Sequence, residues 1–399
     1  MKNIILVDPL VSGHHLSYIR LYYELFKELG CNVTILTPDV AGVGKYIDEF
    51  FADRGKNVEI YELKRRRISK YEKKLLKKDG LRADLFKSYY AIKDFWDVRE
   101  AIVTNNIKGQ PLICFLWLDT YLSKRLPAFW VDMILPHEFT GLYFHPCRAV
   151  ARATDGQNNR DIHFLSPTLK SKKLRFVGVF DEKAMHRLKE IYRRDVFDAL
   201  PDVAETYPPH LDDPLIAKIT DWANGRKIIV LLGSLDRRKN PLAFFRAAKE
   251  STGEYCFVCV GKLYPEWFSA SELAELKEIA STCRDRLFFH DSYISSDEIF
   301  DSVISISSVL FAAYINFSSS SNMIHKAALH KIPIIVSGDH LMGEQVRDYE
   351  LGAALDEVTP QSVLKATTNL LENKFTYGFD RFVERNSREK LKEIIKQRL

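Results

Sequence analysis

Between Ile228 and Leu355 apolar residues fall into short, nearly unbroken runs: IIVLL (228–232), CFVCV (256–260), RLFFH (286–290), VLFAA (309–313) and IPIIVS (332–337). Each is too short for a helix and lacks the polar alternation of a half-solvated strand. Parallel strands buried on both faces have this character. Helical patterns fill the intervals, so the stretch predicts a doubly wound α/β domain. The first half alternates in the same way. Asn3–Val7 opens as a buried strand, and the turn-rich loop Asp8–His15 leads into an amphipathic helix over Leu16–Leu29. Asn32–Thr37 and Asn57–Leu63 continue the βαβ pattern, and Pro111–Leu118 is another wholly apolar strand.

The halves are separated by a change of composition. Leu174–Asp181 reads as a late strand and Glu182–Arg193 as a helix. Leu200–Pro214 is then proline-rich and acidic, which predicts an extended linker. From Phe379 onward the pattern is that of a charged amphipathic helix. The expected domains are residues 1–205 and 206–378, with 379–399 as that helix.

In open parallel sheets, ligands sit beyond the carboxyl ends of the strands. The loops this singles out are 233–240, 261–265, 290–296 and 314–322. Two of them suit a phosphate. Gly233 is followed by three consecutive cations, Arg237, Arg238 and Lys239, and then Asn240. Ser318, Ser319, Ser320 and Ser321 run through Asn322 into a helix predicted to end at His330. A helix start offers free backbone N–H groups and a partial positive charge, and small residues let an anion approach. One serine would suffice as an N-cap; four in a row point to ligand contact as well.

In this order the pieces resemble the second half of a GT-B-fold glycosyltransferase of the retaining family 4 group. The matching pieces are Gly233 with Lys239-Asn240, a strand ending in Gly261-Lys262, and His290 followed by Tyr293-Ile-Ser-Ser-Asp-Glu298. Lys331-Ile-Pro-Ile-Ile335, Gly343-Glu-Gln-Val346 and Leu351-Gly352 complete the set. The resemblance implies two Rossmann-like domains facing across a cleft. The first would be the acceptor side, the second would bind a nucleotide sugar, and the last helix would cross back to the first. It implies donor contacts at Gly261, Lys262, His290 and Tyr293, and diphosphate contacts along 233–239 and 318–322. The paired glutamates of that family fall on Ser318 and Lys326 here. Lysine has no acceptor for ribose hydroxyls, so Glu344 is the expected substitute. The departure leaves a catalytically silent partner subunit open, and a sugar-nucleotide epimerase on the same fold remains a further alternative.

On the acceptor side, the resemblance places Gly13 and His14, with His15, in an opening loop facing the substrate. It also implies a histidine after a middle strand. His145, at the end of the strand GLYF, fits that position best; His137, followed by Glu138, is second; and Asp119 follows the strand run FLWL. No Asp-x-Asp stands at a strand end, so a metal-independent, retaining transfer to a glycan or lipid-linked hydroxyl, as in polysaccharide biosynthesis, is expected. No cofactor beyond the nucleotide-diphosphate sugar is called for.

With 399 residues the chain has room for two large cores. Its first residues suit a strand rather than a secretory signal, and no window reaches the roughly 18 apolar residues that span a bilayer. Six cysteines are scattered, and Cys256 and Cys259 lie on opposite faces of one strand, unable to pinch a metal. A cytoplasmic, reducing location follows. The net charge of +5 is concentrated in Lys64–Arg67 and Lys70–Lys78, ahead of the aromatic-rich Phe86–Trp96. This 64–96 segment suits either a solvated helix face or peripheral contact with anionic membrane. It is not the footprint of a nucleic-acid binder.

Overall fold

A computed structural model describes residues 2–10, 15–50, 58–64, 72, 80–146, 165–294 and 296–399. Gly13, His14 and most of the basic cluster lie outside them. The chain forms two compact units, Met1–Leu200 with Lys392–Leu399, and Pro201–Leu391.

The first unit is a seven-stranded parallel sheet ordered β3-β2-β1-β4-β5-β6-β7. Its strands are β1 (Asn3–Val7), β2 (Asn32–Thr37), β3 (Glu59–Glu62), β4 (Leu112–Phe115), β5 (Phe139–Tyr143), β6 (Leu174–Val179) and β7 (Phe197–Ala199). The run predicted as one strand to Leu118 stops at Phe115, and Leu118–Tyr121 coils into a 3-10 turn. Helix Leu81–Thr104 covers the sheet by burying Phe95, which packs with Phe115, Tyr121 and Phe139. Each ring so buried stabilises the unit by about 1.5–3 kcal/mol.

The second unit is a six-stranded parallel sheet ordered β10-β9-β8-β11-β12-β13. Its strands are β8 (Lys227–Leu232), β9 (Tyr255–Val260), β10 (Leu287–His290), β11 (Val309–Ala312), β12 (Ile334–Ser337) and β13 (Gly352–Leu355). Alternate residues enter different cores. Val230, Cys256 and Val258 pack on one side, Ile229, Phe257 and Cys259 on the other. Helices on both faces therefore explain the unbroken apolar runs.

The proline-rich segment after Leu200 is fastened to the second unit rather than left free. Asp301 Oδ2 accepts from Tyr207 N at 2.7 Å, and Ser302 Oγ accepts from His210 N at 2.6 Å. The C-terminal stretch is two helices, Phe379–Arg385 and Arg388–Arg398, instead of one. Phe379 and Phe382 join the second core. Beyond the break, Lys392 pairs with Glu28 at 2.8 Å, and Arg398 grips both oxygens of Asp198 at 2.8 Å.

At the carboxyl ends of β8 and β9 two glycines meet. Gly261 has φ +154°, and a Cβ built on it would lie 1.9 Å from the Gly233 carbonyl oxygen. A side chain would force the two strand ends apart. Gly261→Ala is expected to cost about 2–3 kcal/mol, measured as a lower urea midpoint of the full chain; an unchanged midpoint would show that the loops can yield.

Candidate functional site

The second sheet has the strand order 3-2-1-4-5-6, and its chain reverses direction of growth between β8 and β11. Loops leaving these two strands diverge and open a crevice at the switch point. The loop after β8 begins at Gly233, and Asp236 caps its 3-10 turn by accepting from Lys239 N at 3.1 Å. Asn240 closes the turn in the left-handed conformation, before helix Pro241–Glu250. The loop after β11 is tied to it directly. Ile315 N donates to Arg238 O at 2.8 Å, and Asn240 Nδ2 donates to Ala313 O at 3.2 Å.

The three cations of this loop take separate paths. Lys239 Nζ turns back over Gly233 and donates to the Leu232 carbonyl at 2.8 Å. The Arg238 guanidinium lies 5.2 Å from the Tyr314 ring centroid and 5.0 Å from that of Phe317, a cation–π arrangement that holds it at the crevice. Arg237 leaves the crevice. It pairs with Glu272 at 2.9 Å in the first turn of helix Ala270–Thr282. Glu272 is held below the usual carboxylate range chiefly by the Ser269 N–H and hydroxyl, with Arg237 adding to them.

The serine run divides its labour too. Ser321 is the N-cap of helix Asn322–Leu329 and accepts from Met323 N at 3.3 Å. Ser320 Oγ meets His325 Nε2 at 3.1 Å, and the same nitrogen lies 3.3 Å from Asp202 Oδ2. Ser318 and Ser319 are half-exposed, and Asn322 is exposed. Capping thus employs one serine and a buried histidine engages another.

Lys326 is a buried structural cation. It is 4% exposed, and its ammonium is bonded to Asp301, itself fully buried, and to Glu205 O at 3.1 Å. Helix Asn322–Leu329 is thereby pinned to helix Asp297–Ser305 and to the segment before it. Burial would raise the Asp301 pKa, but His330 at 3.7 Å, Lys326 and Tyr207 N together hold it below its ordinary value.

The other expected donor residues follow other strands of the same sheet. Lys262 pairs with Asp291 at 3.1 Å, and Asp291 also accepts from Leu263 N at 2.9 Å, joining the loops after β9 and β10. His290 ends β10, two strands from β8 at the sheet edge, and Tyr293 is 69% exposed. Glu344 is half-buried on helix His340–Asp348, which follows β12.

In the first unit the corresponding switch point lies between β1 and β4. Asp8 is buried and meets His15 Nδ1 at 3.0 Å, so His15 is a structural partner of the β1 loop. Asp119 organises the next loop. It accepts from Phe144 N at 2.8 Å and from His145 N at 2.9 Å, and lies 3.0 Å from His145 Nδ1. The imidazole is oriented through one nitrogen, as a carboxylate fixes tautomer and direction, and its side chain stays 37% exposed. Trp117 stacks on Phe144 at 4.0 Å beside it. Asp8, Trp117 and Phe144 were absent from the expected set, though each stands next to a strand end in the sequence.

His137 and Glu138 are at the wrong end of the sheet for this group. They precede β5, whereas His145 follows it, and a five-residue strand separates the two by about 16 Å. Burial, with Lys173 nearby, holds the His137 imidazole below its ordinary pKa. Glu138 faces Arg175 at 3.6 Å in an exposed ion pair. Among the described residues no cluster of three metal-ligating side chains occurs.

No family model matches the chain, and no curated protein sequence does. Solved structures do. The Anabaena protein Alr3699/HepE in complex with UDP and glucose aligns with TM-score 0.61 at 8% identity, over 100% of this chain and 99% of that one. Sucrose-phosphate synthase from Thermosynechococcus elongatus aligns with TM-score 0.58 at 15% identity, over 100% and 97%. A Listeria monocytogenes structure carrying the name of a UDP-N-acetylglucosamine 2-epimerase aligns with TM-score 0.59 at 12% identity, over 100% and 94%. Identities this low establish the fold: the chain has the GT-B architecture of two Rossmann-like α/β units.

The buried pair yields a prediction. Lys326→Ala should cost about 3–5 kcal/mol by stranding the Asp301 carboxylate, and Lys326→Met with Asp301→Asn should cost clearly less. A carboxylate with a lowered pKa contributes in full above its unfolded value of about 3.9 and loses that contribution as pH falls through the folded value. Urea titrations at descending pH should therefore show the wild type losing more stability below about pH 4 than Asp301→Asn. Equal losses would exclude Asp301 as the cause.

Proposed function

We propose that the protein is a glycosyltransferase moving a sugar from a nucleotide-diphosphate sugar to a hydroxyl of a glycan or lipid-linked acceptor. The observation that carries this reading is the convergence of Lys239, Arg238 and the 318–322 helix start at the switch point of the second sheet. Two cations, small side chains and a helix N-terminus make a pyrophosphate site. A fold neighbour crystallised with UDP and glucose adds support.

In the proposed reaction the bond from the anomeric carbon to the diphosphate oxygen breaks, and its electron pair goes to the leaving group. Lys239 and Arg238 neutralise that growing charge, while Ser318 and Ser319 hold the phosphate oxygens. The acceptor oxygen bonds to the anomeric carbon and yields its proton to the departing phosphate. Retention of configuration and independence from metal follow from the family resemblance. Gly261, Lys262 and Glu344 are assigned to the nucleotide or sugar, and His145, held by Asp119, to hydrogen-bonding a sugar hydroxyl through Nε2. Lys326 is buried and held by Asp301 and by Glu205 O, so it is assigned a structural role and no ribose contact.

An epimerase needs acid and base carboxylates at the reacting carbon. Glu138 is at the amino edge of its sheet, which takes it away from the loops where open α/β sheets hold their ligands. Incubation with a panel of nucleotide sugars separates the alternatives: nucleotide release marks a transferase, sugar interconversion an epimerase, and failure to bind any a silent subunit. Lys239→Ala is expected to lower turnover at least tenfold, equivalent to about 1.4 kcal/mol of transition-state stabilisation. Unaltered kinetics would remove Lys239 from the mechanism.

A further inference from the structure

Helix Leu81–Thr104 is apolar on two faces. One face buries Phe95, Val98 and Ile102 in the first unit. The other shows Leu81, Leu85, Tyr89, Trp96 and Val103 to solvent, each more than half exposed. These positions recur every three or four residues through Ile92 and Arg99, so they form one stripe along the helix. At about 1.5 Å per residue the stripe is roughly 33 Å long.

Beside it packs helix Ala128–Ile134, which exposes Phe129, Trp130 and Met133. Arg99 fastens the two helices, donating to Met133 O at 3.3 Å and Ile134 O at 2.9 Å while lying 5.5 Å from the Trp96 ring centroid. Among the described residues, eight of the fifteen exposed large hydrophobics sit on these two helices. Scattered surface apolar residues need no explanation, but a contiguous patch marks an interaction surface.

We propose that this face docks on the surface of an anionic lipid bilayer. Its chemistry favours that occupant over a partner helix. Tryptophan, tyrosine and phenylalanine are the side chains that lodge at the headgroup level. Arg82 and Lys93 border the stripe, where their stems can lie on apolar surface with the charge outward. Two acids near it are neutralised, Asp84 by Arg125 at 3.4 Å and Glu100 by Lys64 at 2.5 Å. The sequence entering the helix adds nine cations against two acids between 64 and 79, which selects anionic over neutral lipid. Among the described residues no helix is long and apolar enough to cross a membrane, so the contact is peripheral. The inference concerns the first unit's surface and stands apart from the catalytic reading.

The test is cosedimentation of the full chain with vesicles of phosphatidylcholine alone or equimolar with phosphatidylglycerol. Wild type should pellet with the mixed vesicles and stay in solution with the neutral ones. The triple variant Trp96→Ala, Phe129→Ala, Trp130→Ala should bind the mixed vesicles at least tenfold more weakly. Exposed positions tolerate truncation, and an unchanged melting curve and far-ultraviolet circular dichroism spectrum establish that the variant is folded. Absence of pelleting with anionic vesicles overturns the proposal, as does equal pelleting of the variant. Concentration-dependent dimers that the variant abolishes, without vesicle binding, would reassign the face to a second copy of the chain.

Discussion

One main-chain hydrogen bond, Ile315 N to Arg238 O at 2.8 Å, joins two loops far apart in sequence. It can form because β8 and β11 are neighbours whose connections leave in opposite directions. Arg238 then lies across Tyr314 and Phe317, and Asn240 reaches Ala313. Without that lock the basic loop and the serine helix start would be two unrelated surface turns. With it they are joined at the switch point of the sheet.

The surroundings of the crevice are rigid for a different reason. Lys326 and Asp301 are both removed from water, which is costly unless each satisfies the other. Their pair binds helix Asn322–Leu329 to its neighbour and to the chain entering the unit. Lys326 thus braces the helix that follows the serine run. His325, between Ser320 and Asp202, reinforces the same loop from its buried side.

The first unit repeats the scheme with other chemistry. Asp119 secures the chain after β5 and orients His145, and Asp8 does the same for His15. An aromatic stack, Trp117 on Phe144 and Phe144 on Phe180, fills the space between these loops. The outer face of the unit carries its excess apolar surface on helix Leu81–Thr104, whose second stripe has no place in the core.

Much of this was legible in the order of residues. Unbroken apolar runs at strand length dictate parallel sheets covered on both faces, because a strand flanked by helices has no solvated side. Gly233, the basic triplet and the oligoserine turn could be recognised because glycine, cation and helix start each act through local geometry. Which cation faces the crevice was not legible: Arg237 turns to Glu272 because a helix far along the chain happens to present a carboxylate there. That His145 follows a strand was legible in the run GLYF, whereas only the observed bounds of β5 set His137 at its opposite end. The meaning of Lys326 was hidden for the same reason. Linear order records a residue's type and spacing, whereas its partner, its burial and the edge of the sheet it reaches arise only when distant segments are brought together.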